Sequence, residues 1–186
     1  MRAKNLLVSL VMLGAVLPAS AQTNENVVKI VEQAVRYESA EDIHNFFLNC
    51  GFRLLEDEVA QALGAERWET AYIDSQNRLY RWSKANLHDP WHEVRVKLTF
   101  DSWRSAQSTF AACGYTALLY DAERKNLKDK PNNFILRKKI GEGQVKSLYG
   151  EDIVPRYLTI TGAFYQQGSI CLVYASFSGP EIDVEG

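Results

Sequence analysis

The sequence predicts an α+β fold: an antiparallel sheet with helices packed on one face. Three observations carry this. A helix-stopping phrase occurs twice, as Phe47-Leu48-Asn49-Cys50-Gly51-Phe52 and as Phe110-Ala111-Ala112-Cys113-Gly114-Tyr115. Residues 92–100 alternate apolar and polar in period two, as in a strand with one face on a core and one in water. The order helix, then several strands, runs twice. That recurrence suggests a duplicated α-then-β-strands unit with approximate two-fold symmetry, in halves 39–100 and 101–177.

The phrase stops a helix because a C′ residue adopts a left-handed conformation that glycine tolerates best. With Gly51 at C′, Cys50 is the cap and Phe52 sits where it packs on Phe47. With Gly114 at C′, Tyr115 stands in the same relation to Phe110. The stop does not require the cysteines.

In chain order, residues 1–21 read as a secretory signal peptide. Arg2 and Lys4 form a positive start, 6–17 an apolar run too short to span a bilayer, and Ala19-Ser20-Ala21 a cleavage site. Residues 22–178 then form a single α+β domain, long enough to bury a sizeable core. No other apolar run is long enough for a membrane span. Residues 179–186 form an acidic flexible tail. No N-x-S/T sequon follows residue 21, which favours a bacterial, periplasmic or secreted protein.

The helical spacing of Val27, Ile30, Val31, Ala34 and Val35 predicts a helix over 25–37, capped by Thr23 or Asn24. Ser39, with Asp42 three residues on, opens a second helix. A short strand over 52–55 and a short helix over 57–63, closed by Gly64, follow. Residues 68–73 and 78–84 form a hairpin about Asp74-Ser75-Gln76-Asn77. Asp101 or Ser102 caps a helix carrying Trp103, Ala106 and Phe110, followed by strands over 115–120 and 134–139. Residues 157–165 and 170–177 are apolar on both faces, which places them centrally in the sheet. Val94, Val96 and Phe100 match Leu158, Ile160 and Phe164 at nearly the offset that separates Cys50 from Cys113.

Few side chains suggest chemistry. The chain has three cysteines, and in an oxidising compartment the similarly placed Cys50 and Cys113 form the first candidate disulfide. Cys171, between apolar neighbours, reads as a small buried hydrophobe. His88, Asp89, His92 and Glu93 are of metal-ligating type, but Pro90 interrupts any helix that would align them and H-E-x-x-H is absent. His44 is displaced around its helix from Cys50, so the two do not form a nucleophile–base pair. Gly141-Glu142-Gly143 lacks the glycines and lysine of a phosphate loop. No motif implies a cofactor.

Two surface features point to binding. Arg124, Lys125, Lys128, Lys130, Arg137, Lys138, Lys139 and Lys146 face only Asp129 and Glu142 within their segment, while the whole chain has a formal charge of −2. Such asymmetry steers a protein towards an anionic surface or partner. In an exported protein that means an envelope surface rather than nucleic acid. Trp68, Tyr72, Tyr80 and Trp82, on the 68–84 hairpin, could form an aromatic platform. The sequence thus predicts an exported binding module for a ligand or protein it does not specify. The alternatives are a small secreted hydrolase, using the His/Asp/Glu loop or a cysteine, and a structural component of a cell-envelope assembly.

Overall fold

Each long helix starts where a side-chain oxygen can satisfy one of its first free N–H groups. In a computed structural model describing residues 23–37, 39–84, 92–117, 132–147 and 150–182, Thr23 Oγ1 accepts from the Asn26 amide at 3.3 Å and opens α1 (Asn24–Ala34). Ser39 Oγ accepts from the Asp42 amide at 3.0 Å and donates to the Asp42 carboxylate at 2.7 Å, opening α2 (Ala40–Asn49). The short α3 (Asp57–Ala62) has no side-chain cap. Ser102 Oγ accepts from the Ser105 amide at 3.2 Å and opens α4 (Trp103–Ala112). None of the described helices is long and apolar enough to cross a membrane.

The doubled phrase ends α2 and α4 as expected. Gly51 (φ +79°) donates to the Leu48 carbonyl at 2.9 Å and Phe52 to the Phe47 carbonyl at 3.0 Å. Gly114 (φ +88°) donates to Ala111 at 2.9 Å and Tyr115 to Phe110 at 3.0 Å. Both are Schellman pairs of bonds. The Phe47 and Phe52 rings stack with centroids 5.3 Å apart. In the second copy the rings take other partners: Phe110 lies 6.1 Å from Phe100 and 6.0 Å from Phe134, and Tyr115 meets Phe177 edge-on at 6.4 Å.

The described strands are β1 (Arg53–Leu54), β2 (Thr70–Ile73), β3 (Leu79–Lys84), β4 (His92–Phe100), β5 (Thr116–Ala117), β6 (Asn132–Ser147), β7 (Gly150–Gln167) and β8 (Ile170–Ile182). They form one sheet in the order β1-β2-β3-β4-β8-β7-β6-β5, antiparallel throughout. Register carries core residues straight across it. Tyr72, Tyr80, Val96, Ala175, Gly162 and Phe134 form one row, and Val94, Phe177, Ile160 and Leu136 the next. These side chains share a core with Val27, Val31, Ile43, Phe47, Ala106 and Phe110 of α1, α2 and α4. Each large aliphatic side chain buried there contributes about 1.5–3 kcal/mol. Trp103 of α4 stacks on Phe164 of β7 at 4.0 Å.

Among the described residues, the opposite face of the sheet is covered only at one end. There α3 packs Ala60 into a small second core with Leu55, Ala65, Ala71, Ile73 and Leu79. Ala71 and Tyr72 are strand neighbours and so point to opposite faces. Three helices therefore cover one face and α3 the edge of the other.

Several sequence expectations are revised. The last strand runs to Ile182, past the point where a flexible tail was expected. The hairpin of β6 and β7 extends well beyond 134–139 and 157–165: residues 141–147 pair with 150–156 after a register shift between Lys139 and Gly141. Most of this arm pairs only within itself among the described strands, so no core face imposes an apolar alternation on its sequence. β7 and β8 are interior, as their apolar character suggested. Their second apolar face, however, is turned to solvent: Tyr165 is 42 % and Tyr174 43 % exposed. The offset aligning Val94, Val96 and Phe100 with Leu158, Ile160 and Phe164 relates β4 to β7, whereas the sheet order sets β8 opposite β4. It does not relate like positions, and a duplication rests on the two caps. Residues 1–21 lie outside the described residues.

Candidate functional site

The uncovered sheet face carries a groove. Its floor is built by strand alternation, which turns Leu79, Arg81, Lys97, Thr99, Leu172 and Tyr174 away from the helices. Register places Lys97 beside Tyr174 and Thr99 beside Leu172, with Tyr165 beyond Leu172. One wall is the end of α3, at Leu63 and Gly64, with the β2–β3 turn at Gln76, Asn77 and Arg78. This part encloses about 600 Å³. A second hollow of about 580 Å³ adjoins it over Tyr165, Gln166, Gln167 and Leu172, and both share Lys97 and Tyr174.

The turn that supplies the wall is held rigidly. The Asp74 carboxylate accepts from the Gln76 amide at 2.8 Å, the Arg78 amide at 2.9 Å and the Tyr80 hydroxyl at 2.9 Å. Asn77 takes the left-handed conformation there (φ +59°), which asparagine tolerates better than most residues. Burial, then the neighbouring Asp74 carboxylate, pushes the Tyr80 hydroxyl far above its ordinary pKa, so it stays a donor.

Charge in the groove is one-sided. Its described lining contains Arg78, Arg81 and Lys97 but no carboxylate, histidine or cysteine. Arg81 is held from behind, donating to the Gly64 carbonyl at 2.9 Å and lying 3.6 Å from the Glu69 carboxylate. Arg95, directly opposite Arg81, is paired with Glu69 at 3.2 Å and Glu93 at 2.9 Å. Lys97 makes no ion pair among the described residues; its ammonium stands 5.4 Å from the Tyr174 ring centroid. Tyr165 meets Tyr174 at right angles, 5.6 Å away. The lining can attract an anion and give it an aromatic surface.

The sequence-predicted candidates fall elsewhere. Tyr72 and Tyr80 are wholly buried core residues and Trp82 packs partly on the core, while Trp68, 71 % exposed, precedes β2. They form no platform, because the strand period turns Tyr72, Tyr80 and Trp82 to the helix side. His92 is buried on that side with its ring 5.5 Å from Trp82, whereas Glu93 points to the opposite face and binds Arg95 and Ser176. The two cannot converge on one ion, and no group of metal-ligating residues converges among the described residues. His88 and Asp89 lie outside them.

The three cysteines are free thiols, so the expected Cys50–Cys113 bridge is not formed. α1 packs against both α2 and α4, and those two make no comparable contact with each other. Cys113 Sγ faces the Glu25 carbonyl of α1 at 4.0 Å. Cys50 and Cys113 are therefore kept apart by α1, which lies against both of their helices.

The basic segment is divided. Lys138 faces the helices and binds both Glu32 oxygens, at 2.7 and 3.0 Å, while Lys139 pairs with Glu142 at 3.5 Å. Arg137 lies 5.6 Å from the Tyr157 ring centroid. Arg124, Lys125, Lys128 and Lys130 lie outside the described residues, as does the side chain of Lys146. Sequence reasoning missed the groove residues Lys97, Tyr165 and Tyr174. For Tyr165 and Tyr174 the signal was the outward half of strands that are partly apolar on both faces, and for Lys97 the polar half of the β4 alternation.

No family model, no curated protein and no solved structure matches the chain.

Proposed function

We propose that this protein is an exported binding module whose ligand lies in the groove on the uncovered sheet face and is held there through negative charge. One observation carries the reading: among the described residues, three cationic side chains line the groove and no carboxylate does. Asp74 at 3.8 Å and Glu69 at 3.6 Å partly offset Arg78 and Arg81 from behind, so the field that acts on an incoming anion comes chiefly from Lys97, which makes no ion pair among the described residues. The signal-like residues 1–21 support export, and the basic segment 124–146 supports the same preference for an anionic partner or envelope surface. The test uses dextran sulfate against neutral dextran. The sulfated polymer should bind, more weakly at high salt, and Lys97→Glu should weaken it while leaving the melting temperature unchanged. Binding indifferent to Lys97→Glu, or no preference over neutral dextran, would remove the groove as the site.

A second reading, a component of an envelope assembly, draws on the β6–β7 arm. Its residues 141–147 and 150–155 pair only with each other among the described strands, and Ile153 is 68 % exposed. An isolated two-stranded ribbon is marginal in water, and a partner would stabilise it. Sedimentation over a wide concentration range tests this. Association lost on Ile153→Glu supports it, and a monomer throughout refutes self-assembly.

A further inference from the structure

The shape and lining of the groove narrow its ligand further, on the reading that the groove is the binding site. The two hollows meet over Lys97 and Tyr174 and cross β3, β4, β8 and β7. The site is thus an open trough, suited to an extended chain rather than a compact molecule.

Its lining is rich in amides. Asn24, Gln76 and Asn77 stand at one end and Gln166 and Gln167 at the other. Two of these are already oriented: Asn24 donates to the Thr99 carbonyl at 2.7 Å and Gln166 to the Gly168 carbonyl at 3.1 Å. A side-chain amide both donates and accepts, which matches hydroxyl groups better than it matches a purely acceptor anion. Between the amides lie the half-exposed Tyr165 and Tyr174. Such rings present an apolar body with a polar edge, which suits the C–H face of a pyranose. Lys97 sits beside Tyr174 and can answer a carboxylate.

Hydroxyl-matching amides, tyrosine rings and a lysine with no ion pair among the described residues together describe a carbohydrate chain bearing acid groups. We propose that the groove binds an acidic polysaccharide of the uronic acid type. A polyacidic peptide, which the cations alone would also attract, leaves the amides and rings without matching groups.

The test titrates the full chain with a galacturonic acid oligomer, the corresponding neutral galactose oligomer and an oligoglutamate, following backbone amide NMR shifts. The uronate should bind with shifts centred on 97–99, 165–167 and 172–174. Lys97→Gln should weaken it about tenfold, the scale of one charge-assisted hydrogen bond, and Tyr174→Ala should weaken it severalfold through the lost ring contact. Retained amide spectra show that the variants fold. Equal or tighter binding of oligoglutamate overturns the carbohydrate inference but leaves the groove reading intact. Equal binding of the neutral oligomer overturns the requirement for acid groups. Shifts confined to other surfaces, or no binding by any of the three, overturn the inference together with the groove reading.

Discussion

The Glu69 carboxylate, with no side-chain exposure, reaches Arg95 at 3.2 Å. Its other oxygen accepts from the Glu66 amide at 2.8 Å and lies 3.6 Å from Arg81. Arg81 and Arg95 are directly opposite each other on β3 and β4, a placement in which like charges repel. Glu69 lets them coexist. Glu69→Gln should destabilise the fold by about 2 kcal/mol, less than for fully buried ion pairs because both arginines keep part of their surface in water. Urea unfolding measures this, and an unchanged midpoint would show that the arginines tolerate each other unaided.

Glu93 gives a pH dependence of known sign. Burial pushes its carboxyl up, but hydrogen bonds from Arg95 and Ser176 outweigh that and hold it below the ordinary value of 4.5. A depressed carboxylate contributes stability that is present above about pH 4.5 and lost as pH falls through the lower folded value. The difference in melting temperature between the parent and Glu93→Gln should therefore be largest near neutrality and shrink below pH 4.5. A constant difference down to strong acid would contradict this.

The three thiols should react in a set order. Burial raises the pKa of each, making the thiolate scarcer at neutral pH. Cys50, only partly buried, should be alkylated first in the native protein, and Cys113 and Cys171 only on unfolding. Non-reducing mass spectrometry after denaturing alkylation should find all three modified. A species with one modified thiol would mean that a bridge forms after all.

Two glycine substitutions separate backbone strain from crowding. A Cβ on Gly51 meets nothing within 4 Å, so Gly51→Ala carries only the left-handed penalty of about 1 kcal/mol. A Cβ on Gly162 would stand 2.1 Å from the Tyr174 carbonyl oxygen and 3.0 Å from the Phe134 ring. Gly162→Ala should lose about 3 kcal/mol. Chemical denaturation ranks them, and an equal loss would refute the crowding argument.

What the sequence made legible was local. Helix stops at Gly51 and Gly114 follow from one residue's conformation, and the β4 period from one strand's two environments. The groove depends on which strands become neighbours. Lys97 and Tyr174 are far apart in the chain and meet only because β4 pairs with β8. Periodicity alone also does not say which face of a strand the helices cover. That is why Tyr72, Tyr80 and Trp82 read as a platform and became core, while Tyr165 and Tyr174 did the reverse.

The pairing of β4 with β8 also sets the tempo of folding. The sheet's middle seam joins His92 to Gly179 and Phe100 to Cys171, so its closure must wait for β8, the last of the described strands. Until β8 arrives, β4 presents nine residues of unpaired backbone on that edge. The loop closed by that pairing is long, and non-local closure of this kind slows folding. A nascent chain would therefore remain an open half-sheet until β8 is made.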